Sequence, residues 1–321
     1  MTDDAVDAPG LESWLAASLG WAGPRISNQR PLQAGWESDV IAFDVVHASG
    51  EHHLVVRLYE GQDAAAKAVR EFDGMRELAN AGFPVPFVFG AEPDGAVLGR
   101  PFLVMEFVAG NAEWTWPEAA ASSHFSRLFN ELHSLDWRPF AAKLGQGGVE
   151  ETLEDFRGYL VNAPIPGFEK WLRWLDERLH SVPRLEPSVV HWDYHPGNML
   201  VADDDSLRII DWTSVAVSDR RFDLAWSGLL MRQSMGTDLL REAYEQHAGS
   251  MAEMEFFDLA AVLRRLYSIA VSLEYGPEVL GMRPEAADLM RDQIGSLGPS
   301  YEWARDLTGV SIEAVEALLE G

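Results

Sequence analysis

The 321 residues include no cysteine. That excludes disulfides, thiolate-ligated zinc and thiol nucleophiles. Lysine is almost as scarce. Of 25 basic side chains only three are lysines (Lys67, Lys143 and Lys170), and the other 22 are arginines. Positive charge as a whole is in deficit: 51 acidic residues leave a formal net charge of -26. Nucleic-acid binders displace counterions with clustered Lys and Arg, so a nucleic-acid partner is excluded. The acidity is also even. The first 110 residues hold 16 acidic and 7 basic side chains, and the remainder 35 and 18. It therefore speaks for solubility and singles out no substrate. No apolar run approaches the ~18 residues of a membrane span. The opening MTDDAVDAPG lacks the basic start and apolar stretch of a signal peptide. A cytoplasmic protein without membrane contact is expected.

What is present points to a folded enzyme-sized chain. Hydrophobic residues make up 47% and charged residues 24%, which is the ordinary globular balance. Twelve Trp and fifteen Phe imply a substantial core. The length suits about two domains of roughly 100–200 residues. The spacing predicts a helix over 12–21 and strands over 39–46 and 53–59, with a turn at Ala48–Glu51. A helix follows over 63–81, where Ala68, Phe72, Met75 and Ala79 share a face. Gly82, Pro84 and Pro86 end it. Strands are expected over 87–93 and 100–108. Beyond Gly110 the pattern is mainly helical, as in 123–135 and 168–180. The domains read as 1–108, rich in strand, and 109–321, rich in helix, joined without a Pro- or Ser-rich linker.

The chemistry concentrates in VVHWDYHPGNMLVADDDSLRIIDWTSVAVSDRRFDLAW, residues 189–226. His191, Asp193, His195 and Asn198 occupy a loop in which Pro196-Gly197 forbids helix. Two short strands, 199–202 and 207–210, flank a turn at 203–206 and end at Asp211. That hairpin is expected to bring Asp211 back towards Asn198. Carboxylate and amide oxygens suit Mg²⁺, which is held by a few carboxylates together with substrate phosphates. Asp193 is left as a base towards a hydroxyl. His-x-Asp-x-His at 191–195 also admits a zinc reading.

This segment resembles the protein-kinase catalytic loop and metal-binding Asp. In detail, HWDYHPGN, IIDW and DLAW are similar to the aminoglycoside phosphotransferase and choline kinase branch. The resemblance implies an α+β, bilobal protein-kinase-like fold with a small strand-rich lobe, a larger helical lobe and a nucleotide in the cleft. It implies that Asp193 is the catalytic Asp and that Asn198 and Asp211 hold Mg²⁺. His191 braces the loop and Asp223 is a scaffold residue. Trp192 replaces the Gly usual in the family, and His133 in LHSL resembles a packing position. In the first part, Arg57 stands where the phosphate-holding Lys is usual. Glu71 is its natural partner, and Lys67 is spaced to pair with Glu71 along the helix. LQAGWESD aligns with the phosphate-covering loop through Gly35 and Ser38, and the backbone of Glu106 and Val108 with the adenine site. The implied activity is Mg²⁺-dependent transfer of the ATP (or GTP) γ-phosphoryl group to a hydroxyl of a small molecule. A kinase-like nucleotide-binding module without transfer and, further off, a zinc hydrolase are the other readings.

Overall fold

A computed structural model describes residues 5–32, 38–112, 118–202, 206–237, 239–284 and 286–320, with the backbone alone for 112, 118–123 and 235. The chain forms two compact units. The first comprises 1–112, 199–214 and 281–283, and the second the remainder. The hairpin that ends at Asp211 therefore folds with the strand-rich unit.

The first unit is built on a five-stranded antiparallel sheet. Its spatial order is Arg25–Pro31, Ser38–His47, Gly50–Tyr59, Phe102–Glu106 and Val88–Glu92. The strand Gly50–Tyr59 is central and is buried on both faces from Leu54 onward. Period-2 alternation divides its side chains. Leu54, Val56 and Leu58 join Ile41, Phe43, Phe102 and Val104 in a core closed by Leu11 and Leu15 of the helix Ala8–Leu19. Trp14 of that helix meets Phe102 edge to face, centroids 5.0 Å apart. Arg57 and Tyr59 point to the other face, where the helix Ala64–Asn80 presents Glu71. One face of the sheet is thus an apolar core, and the other carries buried polar groups.

The strand Arg25–Pro31 was not anticipated. Its sequence, RISNQRP, shows no apolar alternation, and most of it is exposed. It is an edge strand that contains a proline, a position where propensity rules carry little information. The expected helix at 12–21 begins earlier, at Ala8, with proline in its first turn.

A second, three-stranded antiparallel sheet pairs Gly110–Ala112 with Met199–Ala202 and the latter with Leu207–Ile209. Gly110 is required by close approach. A Cβ there would lie 2.4 Å from the Val201 carbonyl oxygen.

The second unit is helical. At its centre lies Met254–Tyr275, a helix of 22 residues with buried side chains on every side of its middle turns, as expected of a core helix. It packs against Arg220–Met235 and Phe168–Arg178. Glu118–Ser134 packs against Leu239–Ala248. The strands Ser188–Val190 and Ala216–Ser218 pair antiparallel and so bracket the 191–198 loop. Pro196–Asn198, expected to be free of helix, makes a single 3-10 turn. A proline fits the start of such a turn because it has no N–H to satisfy. Among the described residues no helix is long and apolar enough to cross a membrane.

Replacing Gly110 by Ala is expected to destabilise the chain by about 1–3 kcal/mol, because the added methyl meets backbone that has no room to give. Denaturant unfolding, followed as a shift of the midpoint at constant slope, checks this.

Candidate active site

In the first unit the site is organised by one guanidinium. Arg57 Nε donates to Ser38 Oγ at 2.8 Å. Its two amino nitrogens reach Glu71 Oε1 at 3.1 Å and Asp211 Oδ1 at 2.9 Å. Arg57 is 6% and Glu71 0% exposed, so this is a buried ion pair and not a surface one. Arg57 is held charged. Burial opposes its charge, but the carboxylates of Asp211 and Glu71 outweigh that and push its pKa above the usual arginine value. Glu71 is satisfied on both oxygens. Tyr59 donates to Oε2 in a short hydrogen bond, and the Trp212 amide donates to Oε1 at 3.1 Å. Burial raises the Glu71 pKa against the pull of Arg57, and it pushes the Tyr59 hydroxyl well up, aided by the Glu71 charge.

Arg57 serves three acceptors at once because its donors form a planar fork, which an ammonium on a single point cannot copy. Lys67 does not pair with Glu71 as expected. It reaches back one turn to Asp63, 3.6 Å away. Asp211 adopts φ +64°, a left-handed conformation unusual for a residue with a Cβ. Its Oδ1 also accepts from Thr213 Oγ1 at 3.1 Å. Glu106 ends its strand with its amide donating to the Phe87 carbonyl at 2.8 Å. Val108 lies in the short stretch after it. Gly35 falls outside the described residues.

In the second unit the centre is a buried carboxylate. Asp223 is fully buried. It accepts from the amides of His191 at 2.7 Å and Trp192 at 2.8 Å. A third partner is His133 Nε2, 3.2 Å away. Trp192 has φ +64°, and for so bulky a side chain that conformation costs of order 1–3 kcal/mol. Glycine would sit there without strain, which accounts physically for the usual family residue. Here the Asp223 bond holds the Trp192 amide, and Arg264 donates to its carbonyl at 3.0 Å. Its ring packs at 5.4 Å from that of Phe222, and the Arg264 guanidinium lies over both Trp192 and Trp226.

The next residue is Asp193. Trp226 Nε1 donates to its Oδ1 at 3.0 Å, and His195 Nε2 stands 3.5 Å from its Oδ2. Burial pushes its pKa up, but these two hydrogen bonds and the neighbouring histidines more than offset it and hold the carboxyl well below the usual range. The side chain remains 41% exposed. Asp193 is thus an ionised, oriented and reachable carboxylate. Tyr194 anchors the loop from below. Its ring stacks on Phe129 with centroids 4.3 Å apart, and its hydroxyl donates to the Phe125 carbonyl at 3.1 Å.

Asn198 Nδ2 donates to the Asp193 carbonyl at 2.9 Å and lies 3.4 Å from Asp193 Oδ2. Asn198 Oδ1 in the second unit and the Asp211 carboxylate in the first are each hard oxygen donors of the kind Mg²⁺ takes. Among the described residues no group of three His, Asp or Glu could hold a metal ion. His191 is fully buried, with its Nδ1 accepting the Asp193 amide at 3.3 Å. Sequence reasoning missed Trp226 and Tyr59, and it placed His195 in the loop as a candidate zinc ligand and not beside the Asp193 carboxylate. Trp226 was findable, because it lies three residues after Asp223 on one helix and so shares its face.

Replacing Arg57 by Met leaves two carboxylates without their cation, and a broken buried pair typically costs about 3–5 kcal/mol. The expected result is a loss of that size in chemical denaturation, with Arg57→Lys recovering only part of it.

The family model described as "Phosphotransferase enzyme family" matches residues 28–262. Two curated relatives align with about half of the chain. Acyl-CoA dehydrogenase family member 10 of Mus musculus is 27% identical over 195 residues, which is 55% of this chain and 18% of that protein. Acyl-CoA dehydrogenase family member 11 of Gallus gallus is 24% identical over 178 residues, 51% of this chain and 23% of that protein. The chain thus spans about a fifth of the length of these relatives. Among solved structures, APH(2'')-IIIa in complex with GDP and kanamycin superposes with TM-score 0.59 at 15% identity, covering 87% of this chain and 97% of that one. Spectinomycin phosphotransferase APH(9)-Ia, with ADP and spectinomycin, gives 0.55 at 13%, covering 98% of each chain. Macrolide 2'-phosphotransferase MphH of Brachybacterium faecium gives 0.53 at 19%, covering 85% of this chain and 98% of that one. The fold is the protein-kinase-like α+β fold of these enzymes, and the chain belongs to the phosphotransferase enzyme family.

Proposed function

We propose that this chain transfers the γ-phosphoryl group of a nucleoside triphosphate, ATP or GTP, to a hydroxyl of a small molecule. The observation that carries the reading is Asp193, an exposed carboxylate kept ionised and aimed by Trp226 and His195. The hydroxyl oxygen attacks the γ-phosphorus as the bond to the bridging β–γ oxygen breaks, the diphosphate leaves, and the hydroxyl proton passes to Asp193. A carboxyl held so acidic is a weak base, so its main contribution is to orient the hydroxyl in line. The proton moves late, as suits a loose transition state.

Arg57 supplies the cation for the phosphates. Mg²⁺, when bound, neutralises charge on the phosphoryl oxygens. Asp211 and Asn198 are the side chains assigned to hold it. Glu71 and Ser38 fix the Arg57 fork, and the backbone of Glu106 and Val108 is assigned to the purine. His191 and Asp223 hold the loop in place. The neighbours solved with kanamycin, spectinomycin and nucleoside diphosphates support a small hydroxylated acceptor.

A second reading, nucleotide binding without transfer, is favoured by one contact. Arg57 lies directly on Asp211, the side chain assigned to the metal. Release of the nucleoside diphosphate across alcohols, sugars, aminoglycosides and macrolides separates the two.

Asp193→Asn is expected to keep nucleotide affinity and to lower turnover by about 10²–10⁴. Wild-type turnover in that variant would remove Asp193 from its role. Asp211→Ala is expected to abolish the Mg²⁺-dependent part of nucleotide binding in calorimetry. An unchanged affinity for Mg·ATP would assign the metal elsewhere.

A further inference from the structure

The second unit has a cavity of about 300 Å³ lined by Arg127, Glu131, Arg220, Tyr244 and His247, among others. Its charge runs against that of the whole molecule. Two arginines face one glutamate, beside a histidine, in a chain of net charge -26. The nearby acids are committed elsewhere. Asp219 caps its helix and pairs with Arg221 at 2.6 Å, and Asp223 is occupied by the loop amides. Glu131 reaches Arg127 only at 3.5 Å, across an exposed turn. Arg220 Nε is cut off from solvent and has no hydrogen-bond partner among the described residues, while the rest of its guanidinium hydrogen-bonds Tyr244. A buried donor in that state calls for an explanation, and strain, a functional role or a bound water or ion each supply one.

The cavity is also wired to the catalytic loop. The Tyr244 hydroxyl lies 2.8 Å from His133 Nδ1, and His133 Nε2 lies 3.2 Å from Asp223. Burial lowers the His133 pKa, so the ring is neutral near pH 7. One tautomer then satisfies both bonds: Nε2–H donates to Asp223, and Nδ1 accepts from Tyr244. Asp223 in turn holds the amides of His191 and Trp192, and the strained Trp192 directly precedes Asp193. Arg220 acts on this chain as well, because its charge bears on both Tyr244 and His133.

We propose that this cavity is a binding site for a phosphate-like oxyanion, either free or as the phosphoryl group of a small metabolite. Occupancy is transmitted through Tyr244, His133 and Asp223 to the 191–193 loop. Arginine forks match such an anion in geometry and charge. The volume lies at the lower end of small-ligand pockets, larger than phosphate alone needs, which leaves room for a compact organic body. An anion that draws on Arg220 changes the field on Tyr244 and hence the bond that orients His133. The binding site stands independently of the phosphotransfer reading, and only its regulatory meaning rests on it.

The test therefore uses no turnover. Inorganic phosphate and a phosphomonoester, glycerol phosphate, are titrated into the full chain by calorimetry. Peptide-resolved hydrogen exchange over 189–199 is followed in parallel. The expected result is saturable binding that Arg127→Gln/Arg220→Gln weakens by about tenfold or more, the factor that follows from losing one charge-assisted hydrogen bond. The His191 and Trp192 amides change protection on binding. Tyr244→Phe retains binding and loses that change. Tighter binding of the ester identifies a metabolite as the ligand, and equal binding identifies free phosphate. No saturable binding, or binding indifferent to the double variant while its thermal melt stays cooperative, overturns the site. Protection that is unchanged on binding, or that still changes in Tyr244→Phe, overturns the relay.

Discussion

A charge taken out of water must be met where it stands, and the buried cluster in each unit is an answer to that constraint. In the strand-rich unit the charge is Arg57, placed inside by the register of a strand buried on both faces. Ser38, Glu71 and Asp211 come from three separate segments to meet it. In the helical unit the charge is Asp223, fully buried, and the groups that meet it are two consecutive amides and a histidine. Each arrangement ties a distant piece of chain to a fixed point. Removing the central charge leaves its partners unpaired, so neither site can relax a little at a time.

Strain appears where these ties act. Trp192 and Asp211 both hold left-handed backbone, which Asp tolerates comparatively well and a side chain as bulky as Trp adopts only at a cost. At Trp192 the compensation is visible: an amide bond to Asp223, a carbonyl bond from Arg264, and a ring packed on Phe222 and under the guanidinium. The tryptophan therefore brings its own support, including an aromatic–cation stack that continues to Trp226, the residue bonded to Asp193.

Much of this was legible in the residues. The hairpin strands, the helix over 63–81 and the polar loop at 191–198 follow from period, turn residues and proline placement. The edge strand Arg25–Pro31 was not legible, because an exposed strand needs no apolar alternation. The Arg57–Glu71 pair could be guessed from strand and helix positions. That Asp211 completes it could not, because 154 residues separate the two. His133 read as a packing residue, yet it hydrogen-bonds on both nitrogens. A histidine on an apolar helix face gives no sign of which partners lie opposite.

By itself the sequence determined the kinds of chemistry open to this protein. No thiol, almost no amine, and a loop with Asp193 and Asn198 followed by Asp211 leave carboxylate, amide, imidazole and guanidinium groups as the candidates. Local order decided those points, because residue type and spacing are properties of the chain. Tertiary structure alone decided which charges are buried and what meets them. It sent Lys67 to Asp63 and gave Arg57 three acceptors. It put Trp226 against Asp193, and Arg127, Arg220 and His247 around one cavity. Burial and partnership are set by segments far apart in sequence, and their energies arise only when those segments pack.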